Sequence, residues 1–260
     1  MSEQRWLHKF ELKQNCWVFV PNDESRINGL IIKKRIEEKW KPPDYYAHLR
    51  KGGHIYAVKK HLGNDLFFCA DISQFFNRIN LSRVTRELKS IFKDYTESRY
   101  IACESVVQLP NSKERKYILP FGFIQSAIIA SLCLNNSALG KYLNQLASNG
   151  FRVSVYMDDI IVSTSLPLAQ AETAFDVLHK KAVRSGFNLN TNKTFGPSDT
   201  ITAFNIHLSK GKIELTDSRL DEFKKAIIEA DNSTVIDGIL RYVDSVCPKQ
   251  VPILQAACLL

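Results

Sequence analysis

The strongest constraint on the fold is Tyr156-Met157-Asp158-Asp159, set in the stretch from Phe151 to Ser163. Short β-branched apolar runs flank the acidic pair, Val153 and Val155 before it, Ile160, Ile161 and Val162 after it. That pattern predicts two strands folded into a hairpin. The connection carries two adjacent carboxylates and neither glycine nor asparagine. A tip built only for folding favours residues that tolerate positive φ. Two carboxylates about 4 Å apart repel by roughly 4 kcal/mol at an effective dielectric of 20. A divalent cation converts that repulsion into a binding site, and hard oxygen ligands suit Mg²⁺. A bare Asp-Asp elsewhere is commonly a solvated turn; the apolar flanks and the rest of the chain favour the site.

The 260 residues are 45% apolar, enough for a full core in one large or two small domains. A formal charge of +8 favours a polyanionic partner. No apolar run approaches 18 residues, so no membrane span is expected. The start, Met1-Ser-Glu-Gln-Arg-Trp, lacks the apolar core of a signal peptide. Six cysteines (16, 69, 103, 133, 247, 258) stand singly without a CxxC pair. They read as reduced core residues of a cytoplasmic protein rather than as a zinc site or disulfide framework. His48, His54 and His61 lack ligand spacing and read as structural or solvent-facing.

Residues 10–20 predict a small hairpin turning at Lys13-Gln14-Asn15 and stopped by Pro21. A basic helix over 24–40 follows, with Ile27, Leu30, Ile31 and Trp40 near one face and Lys33, Lys34 and Arg35 elsewhere, ended by Pro42-Pro43. Arg50-Lys51-Gly52-Gly53 is a donor-rich loop. Leu66 to Asp71 is a buried-type strand ending on an acid, an expensive residue there unless paired or metal-bound. Asn80 or Ser82 caps a helix from Arg83 to Phe92, and another helix covers 96–108. Lys113 to Ile118 is a basic turn entering a strand. A long, mostly apolar helix is expected from about 119 to 146. After the acidic hairpin, Thr164 or Ser165 with Pro167 opens an amphipathic helix that ends at Gly186. Strand pieces near 187–189 and 202–208 bracket Asn192-Lys193-Thr194, and helices over 217–230 and 232–246 precede a short uncapped tail from Pro248. This order predicts an α+β fold whose antiparallel sheet is backed by helices. On such a sheet the end of strand 66–70 and the hairpin tip can meet, joining three carboxylates at one edge.

Asp71 with Phe75-Phe76, Leu119-Pro120-Phe121-Gly122 with Ser126, and Tyr156-Met157-Asp158-Asp159 resemble, in order and spacing, the palm of reverse transcriptases. Gly186 to Thr194 is similar to the family's following lysine-bearing motif, and Thr202 to Ile206 resembles the strand turn that grips the primer end. Arg50-Lys51-Gly52-Gly53 with His61 to Asp65 is similar to the segment before the first aspartate in compact, retron-like bacterial enzymes. The resemblance runs from about 45 to 208. It implies a right-hand polymerase with reduced fingers over 1–65, a palm over 66–210 and a short helical thumb over 211–260. It implies catalytic Asp71, Asp158 and Asp159. Two Mg²⁺ ions, with Mn²⁺ as an acceptable substitute, would be held by Asp71, Asp158 and the carbonyl of Ile72. Phe76 would be the steric gate against a 2′-hydroxyl. Phe121, Gly122 and Ser126 would line the nucleotide and template side, Lys193 would protonate pyrophosphate, and Arg50 and Lys51 would contact phosphates. The basic residues Lys33, Lys34, Arg35, Lys59, Lys60, Lys113, Arg115 and Lys116 would bind nucleic acid. Tyr45 and Tyr46 would be exposed stacking platforms.

The implied partners are an RNA template, dNTPs and a DNA product, with a dedicated non-coding RNA and a role in antiphage defence suggested by the retron-like compactness. A homo-oligomer or a defence-system protein partner stays open. The chain departs from the family pattern at Phe121, where glutamine is common, and at Ala127, where proline is common. Cys16 and Trp17 stand near the place of a nucleotide-contacting arginine, for which Lys13 or a residue of another chain would substitute. An RNA-directed RNA polymerase shares the palm but does not usually carry Phe at position 76. A non-catalytic nucleic-acid-binding scaffold explains the charge but not the three carboxylates.

Overall fold

The computed structural model describes residues 4–13, 16–112 and 114–256. Gln14 and Asn15 of the expected turn, Lys113 of the basic segment and the tail beyond 256 lie outside the described residues. Strands β1 (Trp6–Lys13) and β2 (Cys16–Pro21) form an antiparallel hairpin. Helix α1 (Asp23–Lys39) follows, its start fixed by Asn22, whose side chain accepts the Ser25 N–H at 2.8 Å. A tight turn at Ala47–Leu49 leads to α2 (Gly53–Lys59) and then β3 (Leu66–Asp71). Helices α3 (Leu81–Phe92) and α4 (Tyr95–Ser105) come next, α3 capped by the Asn80 side chain. The short pair β4 (Val107–Gln108) and β5 (Tyr117–Ile118) precedes α5 (Ser126–Asn135) and α6 (Ala138–Ser148). The hairpin β6 (Arg152–Tyr156) and β7 (Asp159–Thr164) is followed by α7 (Leu168–Arg184) and β8 (Phe195–Ser198). Strands β9 (Thr200–Ala203), β10 (Ile206–Ser209) and β11 (Lys212–Leu215) form a meander, and α8 (Asp217–Ile228), α9 (Ser233–Val246) and α10 (Val251–Gln255) finish the described chain.

The central sheet is antiparallel in the order β6-β7-β3-β8. Its two inner strands are buried on both faces, which accounts for their unbroken apolar runs. Phe68, Ala70, Ile160 and Val162 face the larger core, packed with α3 to α7. Phe67, Cys69 and Ile161 face a second core shared with the meander and with α8 and α9. Phe19, Val107, Ile118 and Phe123 make a third, small core under the first hairpin. A backbone bond from Phe19 N–H to Phe121 O at 2.9 Å ties that hairpin to the segment after β5. No helix among the described residues is long and apolar enough to cross a membrane.

Several expectations are corrected. Tyr45 and Tyr46 are 4% and 0% exposed, not stacking platforms. They cover the outer edge of β6, where Val155 N–H donates to Tyr45 O at 2.7 Å, and such capping is what an otherwise unpaired strand edge needs. In α1 the buried positions are Gly29, Ile32 and Ile36, whereas Ile27, Leu30 and Ile31 are more than half exposed. The contact face is rotated because Gly29 lets the helix close on Gln125, whose amide oxygen stands 2.5 Å from where a Cβ would lie. The expected long helix is two helices: Ser137 accepts the Gly140 N–H at 3.1 Å and starts α6 afresh. Residues 187–189 form a single bridge between Leu189 and Ile72 rather than a strand, and β8 takes the fourth place in the sheet. The piece near 202–208 is the β9–β10 hairpin. Pro167 itself occupies the cap position of α7, without a side-chain cap bond. The tail is folded as far as Gln255, and the Gln250 amide bonds both the N–H and the C=O of Leu215.

Candidate active site

Strands β3 and β7 are in register so that Asp71 lies opposite Asp159. The β6–β7 turn consists of Met157 and Asp158 alone, with Tyr156 paired to Asp159 across it. Met157 adopts the left-handed conformation, φ +57°, that such a tight tip demands and that a methionine occupies only under constraint. Ile72 N–H donates to Asp158 O at 2.9 Å, so the end of β3 is tied to the tip of the hairpin. Asp71 is further fixed at its main chain: its C=O accepts from Asn190 N–H at 2.8 Å, and its N–H donates to Thr194 Oγ1 at 3.3 Å. The three carboxylates expected from the sequence are thus brought to one edge of the sheet.

Lys193 Nζ stands 3.2 Å from Asp71 Oδ2 in an ion pair of which the lysine end is 60% exposed. That hydrogen bond raises the Lys193 pKa above the ordinary lysine value. Burial raises the Asp158 carboxyl above the ordinary aspartate range, and the Asp71 charge adds to it. Burial, then Asp158 and Asp71, push Asp159 up to about 7. A cleft of about 480 Å³ is lined by Asp71 and Asp158 together with Lys13, Cys16, Arg78 and Lys193. Asp159 instead borders a smaller cleft on the β9–β10 side, with Cys69, Phe204 and Asn205, and Lys193 borders both.

Among the described residues no group of three or more His, Cys, Asp or Glu side chains forms a ready metal cage. Mg²⁺ does not require one, because it is usually held by one or two carboxylates with water and substrate phosphates. Two carboxylates lining one open cleft, held near each other by the backbone bond between Ile72 and Asp158, fit that donor set.

Phe121 lines the same cleft and packs against Phe76 with the rings tilted by 44°, centroids 4.4 Å apart; Phe76 is buried, and Phe75 reaches the cleft beside it. Gly122 has φ +101°, and a Cβ there would lie 2.2 Å from Phe19 O. Ser126 is buried at the start of α5, away from the cleft lining, with no hydrogen-bond partner for its hydroxyl among the described residues.

The basic residues are dispersed. Arg50 is turned to Asp44 at 2.8 Å and to Pro42 O, and Lys51 is exposed beside it. Lys33 pairs with Glu37, and Arg35 pairs with Glu97 and lies over Phe92. Lys34 and Lys59 are exposed, while burial lowers the pKa of Lys60. Arg115 and Lys116 line a separate surface cleft with Asn80 and Arg99. Arg78 was not singled out by sequence, and His48 was read there only as structural or solvent-facing. Arg78 borders the cleft with its Nε bonded to Ser73 O, and His48 accepts the Met157 N–H at 3.0 Å. Neither carries a spacing signal; a position seven residues past Asp71 is the only pointer to Arg78.

The family model "Reverse transcriptase (RNA-dependent DNA polymerase)" matches residues 14–208 of the 260. Comparison with curated proteins finds no match. Among solved structures, a telomerase from Candida albicans in complex with a fragment of telomeric RNA aligns with 91% of this chain and 47% of its own, at TM-score 0.51 and 8% identity. A foamy viral protease-reverse transcriptase in complex with double-stranded DNA aligns with 86% of this chain and 32% of its own, at TM-score 0.46 and 15% identity. The chain therefore spans less than half the length of the solved structures it matches. The telomerase likeness speaks for a polymerase-palm fold, and the family match over most of the sequence decides membership. The chain belongs to the reverse transcriptase family.

Proposed function

We propose that this chain is a catalytically active RNA-directed DNA polymerase. The observation that carries this is the meeting of Asp71, from a strand end, with Asp158 and Asp159, from a strained hairpin tip, beside Lys193. In this reading residues 1–65 are the fingers, 66–210 the palm and 211–260 the thumb. Asp71, Asp158 and the main-chain carbonyl of Ile72 would hold two Mg²⁺ ions, with Mn²⁺ as a substitute. When bound, the ions activate a primer 3′-hydroxyl and neutralise the triphosphate charge. Asp159 supports the pair from its place opposite Asp71. Lys193, kept protonated by Asp71, hands its proton to the leaving pyrophosphate. Phe76 and Phe121 form the apolar wall under the sugar that disfavours a 2′-hydroxyl, with Gly122 and Ser126 supporting it. Lys13 and Arg78 face the triphosphate.

The substrate class is a primed RNA template with dNTPs, which suits the charge of +8. A dedicated non-coding RNA as template, a place in bacterial antiphage defence and a cytoplasmic location complete the proposal, on the strength of the retron-like motifs before Asp71. The telomerase's RNA partner agrees with an RNA-bound state. Primer extension on an RNA template in Mg²⁺ is the test. Wild type should extend, and Asp71→Asn and Asp158→Asn should lose at least about 10³-fold in rate, as removal of a group central to charge stabilisation does. Extension by either variant at the wild-type rate would end the assignment. RNA retained from native-host cells after a high-salt wash should be enriched in one species; a mixture with none enriched would refute the dedicated template.

A further inference from the structure

His48 sits in the tight turn after Tyr45-Tyr46, directly beneath the acidic hairpin. Its Nδ1 is 3.0 Å from Met157 N, and its Nε2 is 2.8 Å from Ser131 Oγ. The Ser131 hydroxyl donates to Ala127 O at 2.9 Å, so Ser131 Oγ is left to accept from the ring. Both ends therefore fix one tautomer, with the proton on Nε2 and Nδ1 as acceptor. The 3.4 Å approach of Nδ1 to Val155 O is a contact this tautomer does not convert into a bond. Tyr46 and Tyr156 pack edge-on against the ring, centroids 6.0 and 5.8 Å away, and hold it in place.

The residue that His48 grips is the one with the costly backbone. Met157 is left-handed, and Asp158 follows it directly. The turn is thus pinned on two sides, by Ile72 N–H on Asp158 O and by His48 Nδ1 on Met157 N–H. We propose that His48 is a positioning residue for the acidic hairpin. It touches no reacting atom and acts through Met157, setting the backbone that aims Asp158 into the cleft. This rests on the polymerase reading above.

The chain contains two methionines, Met1 and Met157. [¹⁵N]methionine labelling therefore yields at most two amide resonances, and the one that disappears in Met157→Leu is that of Met157. Hydrogen exchange at that amide, in protein freed of metal, reports the bond to His48 without any activity. His48→Asn keeps an acceptor on Cγ, where Nδ1 is attached. His48→Gln reaches the Ser131 side instead and leaves Met157 without an acceptor. The expected result is slow exchange in wild type and H48N, and exchange faster by about tenfold or more in H48Q, the scale of one lost hydrogen bond. In primer extension kcat should fall by a similar factor in H48Q, with the KM for dNTP within about twofold and H48N close to wild type. Ser131→Ala gives an independent variant: by freeing the tautomer it should speed exchange in the same direction. Unchanged exchange in both H48Q and S131A would overturn the proposal. So would faster exchange with kcat intact, or equal damage in H48N and H48Q. Absence of synthesis by wild type would fall on the polymerase reading, while the exchange rates would still decide whether His48 holds the hairpin.

Discussion

Burial and its two acidic neighbours bring the Asp159 carboxyl to about 7, well above the value near 3.9 expected in an unfolded chain. Between those pH values the folded protein binds the additional proton, so stability is lost as pH rises through 7. Asp159→Asn removes that loss. The metal-free variant should be more stable than wild type at pH 8, by up to a few kcal/mol. Urea unfolding in the presence of a chelator measures it, and equal stability at pH 8 would show that the charge is not desolvated. The carboxylates themselves were legible in the sequence because an acid at the end of an apolar run stands out against its flanks. His48 was not. A single histidine among aromatics has no periodic signature, and its role depends on a backbone N–H that is 109 residues away.

Elements with a local pattern were read correctly: the acidic hairpin, β3, and α3, for which Asn80, one of the two candidate caps, is the one used and the helix starts two residues earlier than expected. Their signals, β-branched runs and a capping side chain, are contained within the segment. The face of α1 was misread because its rotation is set by contact with Gln125, and the break between α5 and α6 was hidden by apolar residues on both sides. Strand β8 contains Gly196-Pro197, which argues against a strand until an edge position excuses the proline. Two glycines make opposite predictions about their elements. Gly122→Ala puts a Cβ 2.2 Å from Phe19 O at a φ of +101°, and should cost on the order of 3 kcal/mol. Gly238→Ala lies in α9 with open space around it, and should add about 0.5–1 kcal/mol. Denaturant midpoints of both variants check this; a stable Gly122→Ala protein would mean the first hairpin is not bound to that segment.

Acid sensitivity belongs to the whole molecule. Burial lowers His61 to about 3 and His48 to about 4. His61 is fully buried and bridges Ser163 on β7 and Ser154 on β6 at 2.7 and 2.9 Å. Both rings are neutral in the folded state, while the unfolded chain protonates them below about 6.5. Their contribution is therefore present above pH 6.5 and is lost as pH falls toward 4, by up to about 1.4 kcal/mol per histidine and pH unit. Asp159 works in the opposite sense over the same range, so the slope should be shallow in wild type and steeper in Asp159→Asn. Unfolding free energies of both proteins from pH 7 to 4.5 test this, and identical slopes would refute the opposition. At the same scale, the bond between Phe19 and Phe121 has a mechanical consequence. The hairpin that lines one side of the cleft with Lys13 and Cys16 is joined by its backbone to Phe121, which packs against Phe76 on another. A swing of β1 and β2 away from that segment would have to break the bond and expose both backbone groups. Widening the cleft on that side therefore costs a hydrogen bond as well as the apolar contacts of Phe19.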